Sequence, residues 1–561
     1  MKTQDIAEIV LLAFFAIAAA PFLGGYMSRV YQGQGHPLAF LAPLERLVYR
    51  LSGIDEKREM SWKKYALALV GFSLASIAVL MGMLLLQKWL PLNTEGFEGM
   101  SWDLAFNTAV SFVTNTNWQA YSGEVSLSYF SQAAGLAVQN FLSAAAGMAV
   151  AVALIRGIIA RRATEASPVP GIGNFWVDMT RSVVYILLPL SMVGAMILVG
   201  QGVVQSLSPY VPAVSLEGRP GYIPLGPAAS QTIIKHLGTN GGGFFGPNSA
   251  FPFENPTPLS NFVELFAEIL IPFAFPFLFG SMTGRKKQGR VIFGVMLGLL
   301  AVLSFSAVGS ELAKGSLEGK ELRFGLSDSA LFGVITTITS CGAVNAMHDS
   351  LSPLAGGVAM LDIMFGEVVF GGVGSGLYGM LALVFITVFI AGLMVGRGPE
   401  YFGKKIEARD VKLSMFAIIA PNAVILVFAA VAISLGIGKA AITNPGPHGL
   451  SQVLYAFTSA AGNNGSAFGG LSVNDPFYNV LLGFGMLIGR FGVMLPLLAV
   501  AGNLAGKRPV AESPGTFRTD TPVFGVLLLS VVIIVAGLTH FPALTLGPIL
   551  DHFLLVTGAT L

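Results

Sequence analysis

Charge is scarce in this sequence. Asp, Glu, Lys and Arg make up 11% of its 561 residues, against about 25% in an ordinary soluble domain. A soluble chain of this length needs a polar coat, and too few polar groups remain here to cover the apolar surface. Cys341 stands alone, which excludes an internal disulfide framework. The six histidines are scattered without metal-ligand spacing, which speaks against a structural metal. No GxxxxGK(S/T) phosphate loop occurs; the nearest string, Gly502 to Arg508, has the wrong spacing and ends in Arg. The DKTG phosphorylation motif is missing too. Any coupling to ATP would have to come from another chain.

What is present in abundance is apolar. Hydrophobic residues make up 54% of the chain, in recurring runs of about the 20 residues that cross a bilayer. The sequence predicts an all-α integral membrane protein with ten spans, with cores near 6–28, 65–88, 131–155, 180–203, 259–281, 290–311, 355–395, 413–436, 476–502 and 522–542. Ala13 to Pro21 has the length of a signal-peptide core, but Lys2 is followed by Asp5 and Glu8 rather than by a basic leader, and the run continues to Val30. It is read as a retained transmembrane helix. The seventh run is too long for one straight helix. Gly366, Gly371, Gly372, Gly374, Gly376 and Gly379 weaken its middle, Phe365 to Met380, and non-helical backbone at that depth must be packed in protein or face water.

Five short segments, Arg29–Lys64, Arg156–Arg181, Arg285–Arg290, Arg397–Lys412 and Lys507–Arg518, hold 23 of the 32 Lys and Arg residues. They fall between alternate spans, so all lie on one face, and the positive-inside rule makes that face the cytoplasm. Pro91 to Phe130 has no Lys or Arg but carries Glu95, Glu98, Asp103 and Glu124. It is expected outside, as are both termini.

Four of the outer connections share a plan: an apolar segment too short to span, then a stretch rich in Gly, Asn, Thr and Ser. They are Leu104–Val113 then TNTNWQ, Ala228–Gly238 then TNGGG, Ser329–Thr339 then SCGAVN, and Leu450–Ala460 then AGNNGS. The unit helix, half-helix, polar loop, helix therefore occurs four times, with one extra helix at each end. The expected divisions are 1–62 for the first helix and its loop, 63–160, 161–284, 285–410 and 411–510 for the four repeats, and 511–561 for the last helix and tail. Four polar loops around one axis can aim rings of C=O groups inward, where they replace the hydration shell of a cation. None of the loops contains Asp or Glu, and a ring of neutral dipoles suits a weakly hydrated monovalent ion such as K⁺. Gly-rich packing turns between spans offer a bland alternative, but four of them at matching places favour the filter.

The strings TNTNWQ, GTNGGGFF, TSCGAVN and GNNGSAF, with Phe251-Pro252-Phe253-Glu254-Asn255-Pro256-Thr257, closely resemble the potassium-binding subunits of bacterial Kdp ATP-driven potassium uptake systems. The resemblance covers essentially the whole chain. Trk, Ktr and HKT transporters share the repeat, but each of their loops centres on a lone glycine, whereas here the first loop has none and the second has three. Carried over by position, the resemblance implies K⁺-binding residues at Thr114, Asn115, Thr116, Asn117 and Gln119; at Thr239, Asn240, Gly241 and Gly242; at Ser340, Cys341 and Gly342; and at Gly462, Asn463, Asn464 and Gly465. The stretch Phe245-Gly246-Pro247-Asn248 departs from the Asn/Ala-rich pattern expected there. The resemblance further implies K⁺ as the transported ligand, a tunnel within the membrane, a P-type ATPase catalytic subunit and two small accessory membrane subunits as partners, the bacterial inner membrane as location, and no nucleotide on this chain. A stand-alone K⁺ channel or ion-coupled transporter of the Trk type is the competing reading.

Arg490 is placed inside a span, at an insertion cost of about 2.5–3.5 kcal/mol. It is either a packing residue or a positive charge below the filter that closes the direct route to the cytoplasm. Asp362 and Glu367, near the broken span, could attract cations or pair with Arg490. Cys341 is expected to be a small buried residue, and Trp118 to pack behind its loop.

Overall fold

The structure, a computed structural model, describes residues 3–160, 171–394, 396, 398–510 and 517–558. Lys2 and Arg397, named above, and Arg161 and Arg162 of the segment Arg156–Arg181 lie outside the described residues. Among those described, ten helices are long and apolar enough to cross a membrane: Ile6–Tyr31, Trp62–Trp89, Ser131–Ile159, Phe175–Gly200, Pro258–Met282, Lys286–Lys314, Ser375–Met394, Ala408–Ser434, Pro476–Ala505 and Pro522–Thr557. Their ends are set by local chemistry. Asn174, Thr257, Asp475 and Thr521 cap N-termini with side-chain oxygens, satisfying backbone donors that a helix leaves open. The third, fifth, seventh and ninth spans, which follow the polar loops, are the more buried and form the inner wall. The outer spans keep apolar groups such as Phe22, Leu67, Leu74, Phe305 and Leu538 exposed, as a lipid-facing surface requires. The first span lies along the fifth, where Gly24 lets the backbones meet: a Cβ there would stand 2.6 Å from the Ala274 carbonyl oxygen.

Between the second and third spans, and at the three matching places, short helices enter and turn back: Trp102–Val113, Ala228–Leu237, Gly325–Ile338 and Gly446–Ala461. The third and fourth each begin four residues earlier than their apolar patterns suggest. Two expectations need correction. The break in the seventh span is confined to 365–374, and Gly376 and Gly379 belong to the helix that resumes at Ser375. The last span does not end near 542 but continues through a kink at Gly547 and Pro548 to Thr557. The fold is all-α except for two small hairpins, Val211–Val214 with Pro220–Ile223 and Glu400–Tyr401 with Lys404–Lys405.

The break has a tertiary cause as well as its glycines. Glu367, Phe370, Gly366, Gly371 and Gly374 all take positive φ. The backbone groups so freed are met by the re-entrant units: Gly371 N–H donates to Ile338 O at 3.0 Å and Val373 N–H to Thr239 Oγ1 at 2.9 Å. The broken segment thus lies directly against the second and third loops.

Candidate ion filter

The four re-entrant helices end alike. Thr114, Gly238, Thr339 and Gly462 terminate them with φ between −83° and −88° and ψ between −2° and 6°. Taking these as the first loop position, the second is left-handed in every unit: Asn115 (φ 64°), Thr239 (45°), Ser340 (48°) and Asn463 (48°). The fourth is again left-handed: Asn117 (52°), Gly241 (91°), Gly342 (90°) and Gly465 (101°). Asn117 therefore stands where the other units have glycine. Asn is among the few residues that tolerate this region, which explains a first loop with no glycine.

The loops close a ring. A Cβ on Gly241 would collide with the Cys341 carbonyl oxygen, one on Gly342 with that of Asn464, and one on Gly465 with that of Thr116. The third-position carbonyls of units three, four and one thus seat on the fourth positions of units two, three and four. Between units one and two the joint is polar. Asn115 Nδ2 donates to Thr239 O at 2.8 Å and to Gly238 O at 3.3 Å, and Asn240 Nδ2 donates to Asn115 Oδ1 at 2.6 Å. Gly242, one residue past the ring, makes room for the Cβ of Asn117; a Cβ of its own would lie 3.1 Å from it. Further side chains brace the ring: Asn463 Nδ2 to Thr116 Oγ1 at 2.9 Å, Asn464 Nδ2 to Thr336 O at 2.9 Å, and Thr114 Oγ1 paired with Thr116 Oγ1 at 2.8 Å. Cys341 is fully buried and offers its backbone to the ring. Trp118 is buried behind the first loop.

The third span sets the depth scale. Asn140 Oδ1 accepts Asn117 Nδ2 at 2.6 Å, and Ser143 Oγ donates to Asn115 Oδ1 at 2.8 Å. Three residues of helix, about 4.5 Å, span the second to fourth loop positions. The span runs toward the face of the basic clusters, so the fourth position is the mouth of the ring and the first its floor. Beyond the mouth lies a cavity of about 860 Å³ lined by Asn117, Gln119, Gly241, Gly342, Gly465 and Glu321, among others. Gln119 sits above the ring, where it exchanges hydrogen bonds with the backbone of Gly243 at 2.9 and 3.1 Å. All four helices turn their C-terminal, partially negative ends toward the ring, which favours a cation there.

Below the floor stands Arg490, 4% exposed on the ninth span. Its guanidinium donates to Ser143 O at 3.0 Å and lies beside Gly147, against which Val373 of the broken segment also packs. Glu367 is an acidic residue within its electrostatic reach; Asp362 instead accepts Thr337 Oγ1 at 2.9 Å. One detail of the second loop differs from the simple picture of carbonyls aimed at the axis: Gly241 O accepts Asn248 Nδ2 at 2.6 Å. Asn248 stood out from sequence only as part of the departing stretch Phe245-Gly246-Pro247-Asn248, with no link to the ring, and Asn140, Ser143 and Lys235 were not singled out. For Lys235 a signal existed, since it is the one Lys, Arg, Asp or Glu residue of the half-helix Ala228–Leu237.

A single chain that folds four re-entrant helix–loop units into one ring defines a known class of membrane transporter fold. A solved structure titled as the potassium transporter TrkH from Vibrio parahaemolyticus matches 89% of this chain and 98% of its own, with TM-score 0.52 at 15% identity, a likeness of fold. The model of the potassium-transporting ATPase A subunit family, KdpA, matches residues 9–553, and the chain belongs to that family. It is 53% identical over 558 residues to the potassium-transporting ATPase potassium-binding subunit of Pseudomonas fluorescens strain SBW25, covering 97% of this chain and 98% of that protein. It is 50% identical to the protein of that description in Leptospira interrogans, covering all of both chains.

Proposed function

We propose that this chain binds K⁺ from the outer face in the ring of the four loops and hands it to a P-type ATPase subunit for uptake. The observation that carries the reading is the closed ring itself: four loops of matching backbone conformation, neutral in charge, each joined to the next. Such a ring offers carbonyl and side-chain oxygens to a dehydrated cation without the carboxylates a divalent ion draws. The ion-binding groups are those of Thr114, Asn115, Thr116 and Asn117, of Thr239 and Asn240, of Ser340, Cys341 and Gly342, and of Gly462, Asn463, Asn464 and Gly465. Gly241 and Gly242 set spacing, and Gln119 guards the mouth. Arg490 bars the straight route, so the ion leaves sideways through a tunnel within the membrane. The catalytic subunit hydrolyses ATP, two small membrane subunits complete the assembly, and the chain sits in the bacterial inner membrane with both termini outside.

Full-length likeness to potassium-binding subunits of an ATPase favours this over a stand-alone channel. The test is purification from native membranes. The chain should come out with an ATPase subunit whose ATP hydrolysis is stimulated by K⁺ and not by Na⁺. Isolation alone, with K⁺ flux that ignores ATP, would favour the channel.

A further inference from the structure

The groups behind the four loops obey the same repeat with one exception. In each re-entrant helix, the carbonyl five residues before the third loop position accepts that residue's N–H: Ser111 from Thr116, Lys235 from Asn240, Thr336 from Cys341 and Ser459 from Asn464. In three units this residue carries a hydroxyl that braces its own loop. Ser111 Oγ donates to Trp118 O at 3.0 Å, Thr336 Oγ1 accepts Gly342 N–H at 2.9 Å, and Ser459 Oγ accepts Gly465 N–H at 2.9 Å. In the second unit the place belongs to Lys235, a lysine with no exposed surface.

Its ammonium reaches past the loop to what lies behind it. It donates to Asn248 Oδ1, and to Ser249 Oγ at 3.4 Å, and stands 3.5 Å from Glu254 Oε1. Asn248, left-handed at φ 58°, turns its Nδ2 back to Gly241 O at 2.6 Å. Glu254 Oε1 accepts Phe244 N–H at 2.7 Å. One ammonium therefore holds both ends of the 241–244 segment. A buried cation beside a cation path repels the ion unless it is countered, and a buried charge persists only when paired. The counter-charges are at hand in Glu254 and, on the fifth span, Glu264 and Glu268, all fully buried; the last two contact His236 at 3.1 and 2.7 Å.

We propose that Lys235 is a specificity-determining positioning residue. Through Asn248 and Glu254 it fixes the second loop at the spacing that suits a large, weakly hydrated monovalent cation, a task the other loops give to a hydroxyl. The inference rests on the reading of the ring as the K⁺ site. Lys235→Met keeps the apolar stem and removes the ammonium. In the whole ATPase complex, ATP hydrolysis titrated with K⁺, Rb⁺ and Na⁺ should show the K⁺-over-Na⁺ preference falling about tenfold, the scale of one lost charge-assisted hydrogen bond. Lys404→Met, at a buried lysine that caps Gly157 O and Leu504 O on the far face, should leave the ion order alone. Gly465→Asp tests the ring directly. If it changes the ion order and Lys235→Met does not, the role of Lys235 is overturned and the ring stands. If neither changes it, the ring reading fails. Should Lys235→Met not assemble, Glu254→Gln preserves shape and must shift the preference in the same direction by a smaller factor; an unchanged ion order there also overturns the proposal.

Discussion

Arg490 and Ser143 are joined by a hydrogen bond of 3.0 Å from guanidinium to carbonyl, and the hydroxyl of the same serine holds Asn115 of the first loop at 2.8 Å. One residue of the third span thus ties the floor of the ring to the buried positive charge beneath it. A cation leaving the ring straight toward the basic face meets that charge, in surroundings where screening by salt is weak. Arg490→Ala should raise the ATP consumed per K⁺ accumulated several-fold, or open a passive leak. Uptake into proteoliposomes alongside ATP hydrolysis measures both, and unchanged coupling with no leak would make Arg490 a packing residue.

Gly241 has no room for a side chain, because the Cys341 carbonyl occupies the place of its Cβ, and its φ of 91° disfavours any other residue. Gly241→Asp should strain or displace the loop by about 1–3 kcal/mol and add a charge to a neutral ring. The half-saturating K⁺ for ATP hydrolysis should rise at least tenfold and the preference over Na⁺ should fall. Gly218→Asp, at an exposed hairpin turn where a Cβ would meet nothing within 4 Å but φ is likewise positive at 77°, is the control for backbone strain away from the ring and should change neither.

Asn115 is the joint between the first two loops. Asn115→Ala removes its bonds to Gly238 O, Thr239 O, Asn240 and Ser143 together. Leaving such groups buried without partners costs about 1–3 kcal/mol each. K⁺-dependent thermal protection of the complex should shrink markedly. Asn140→Ala, which loses only the bond to Asn117, should weaken it less.

His448 ties the C-terminal helix to the fourth unit. Its ring nitrogens meet Asp551 at 2.9 Å and Asp349 at 3.0 Å, and these carboxylates raise its pKa from 6.5 to about 9. A raised folded-state pKa means the imidazolium stabilises the closed arrangement fully below pH 6.5, and the contribution is lost as pH rises through about 9. Hydrogen-exchange protection of Leu550–Thr557 should therefore fall between pH 7 and 10. His448→Gln should show low protection throughout; a wild-type profile that stays flat would rule the latch out.

The sequence by itself determined the membrane architecture. Long apolar runs have no alternative to spanning helices, since backbone groups in lipid must be satisfied within the segment. The four half-helices and their Gly/Asn loops were legible for the same local reason, as was the weakness of the seventh span. What a residue's neighbours along the chain do not encode is which distant backbone it will touch. Only the tertiary structure decided that Thr116 seats on Gly465, that Asn117 serves in place of a glycine because Gly242 of another loop yields space, and that the seventh span resumes at Ser375 once Val373 has docked on Thr239. Lys235 illustrates the limit most directly. A lysine in a half-helix reads locally as a cost, and only the packing of Asn248, Glu254 and the fifth span around it supplies the partners that let the charge stay buried, because the compensation for burying a charge comes from residues far away in sequence.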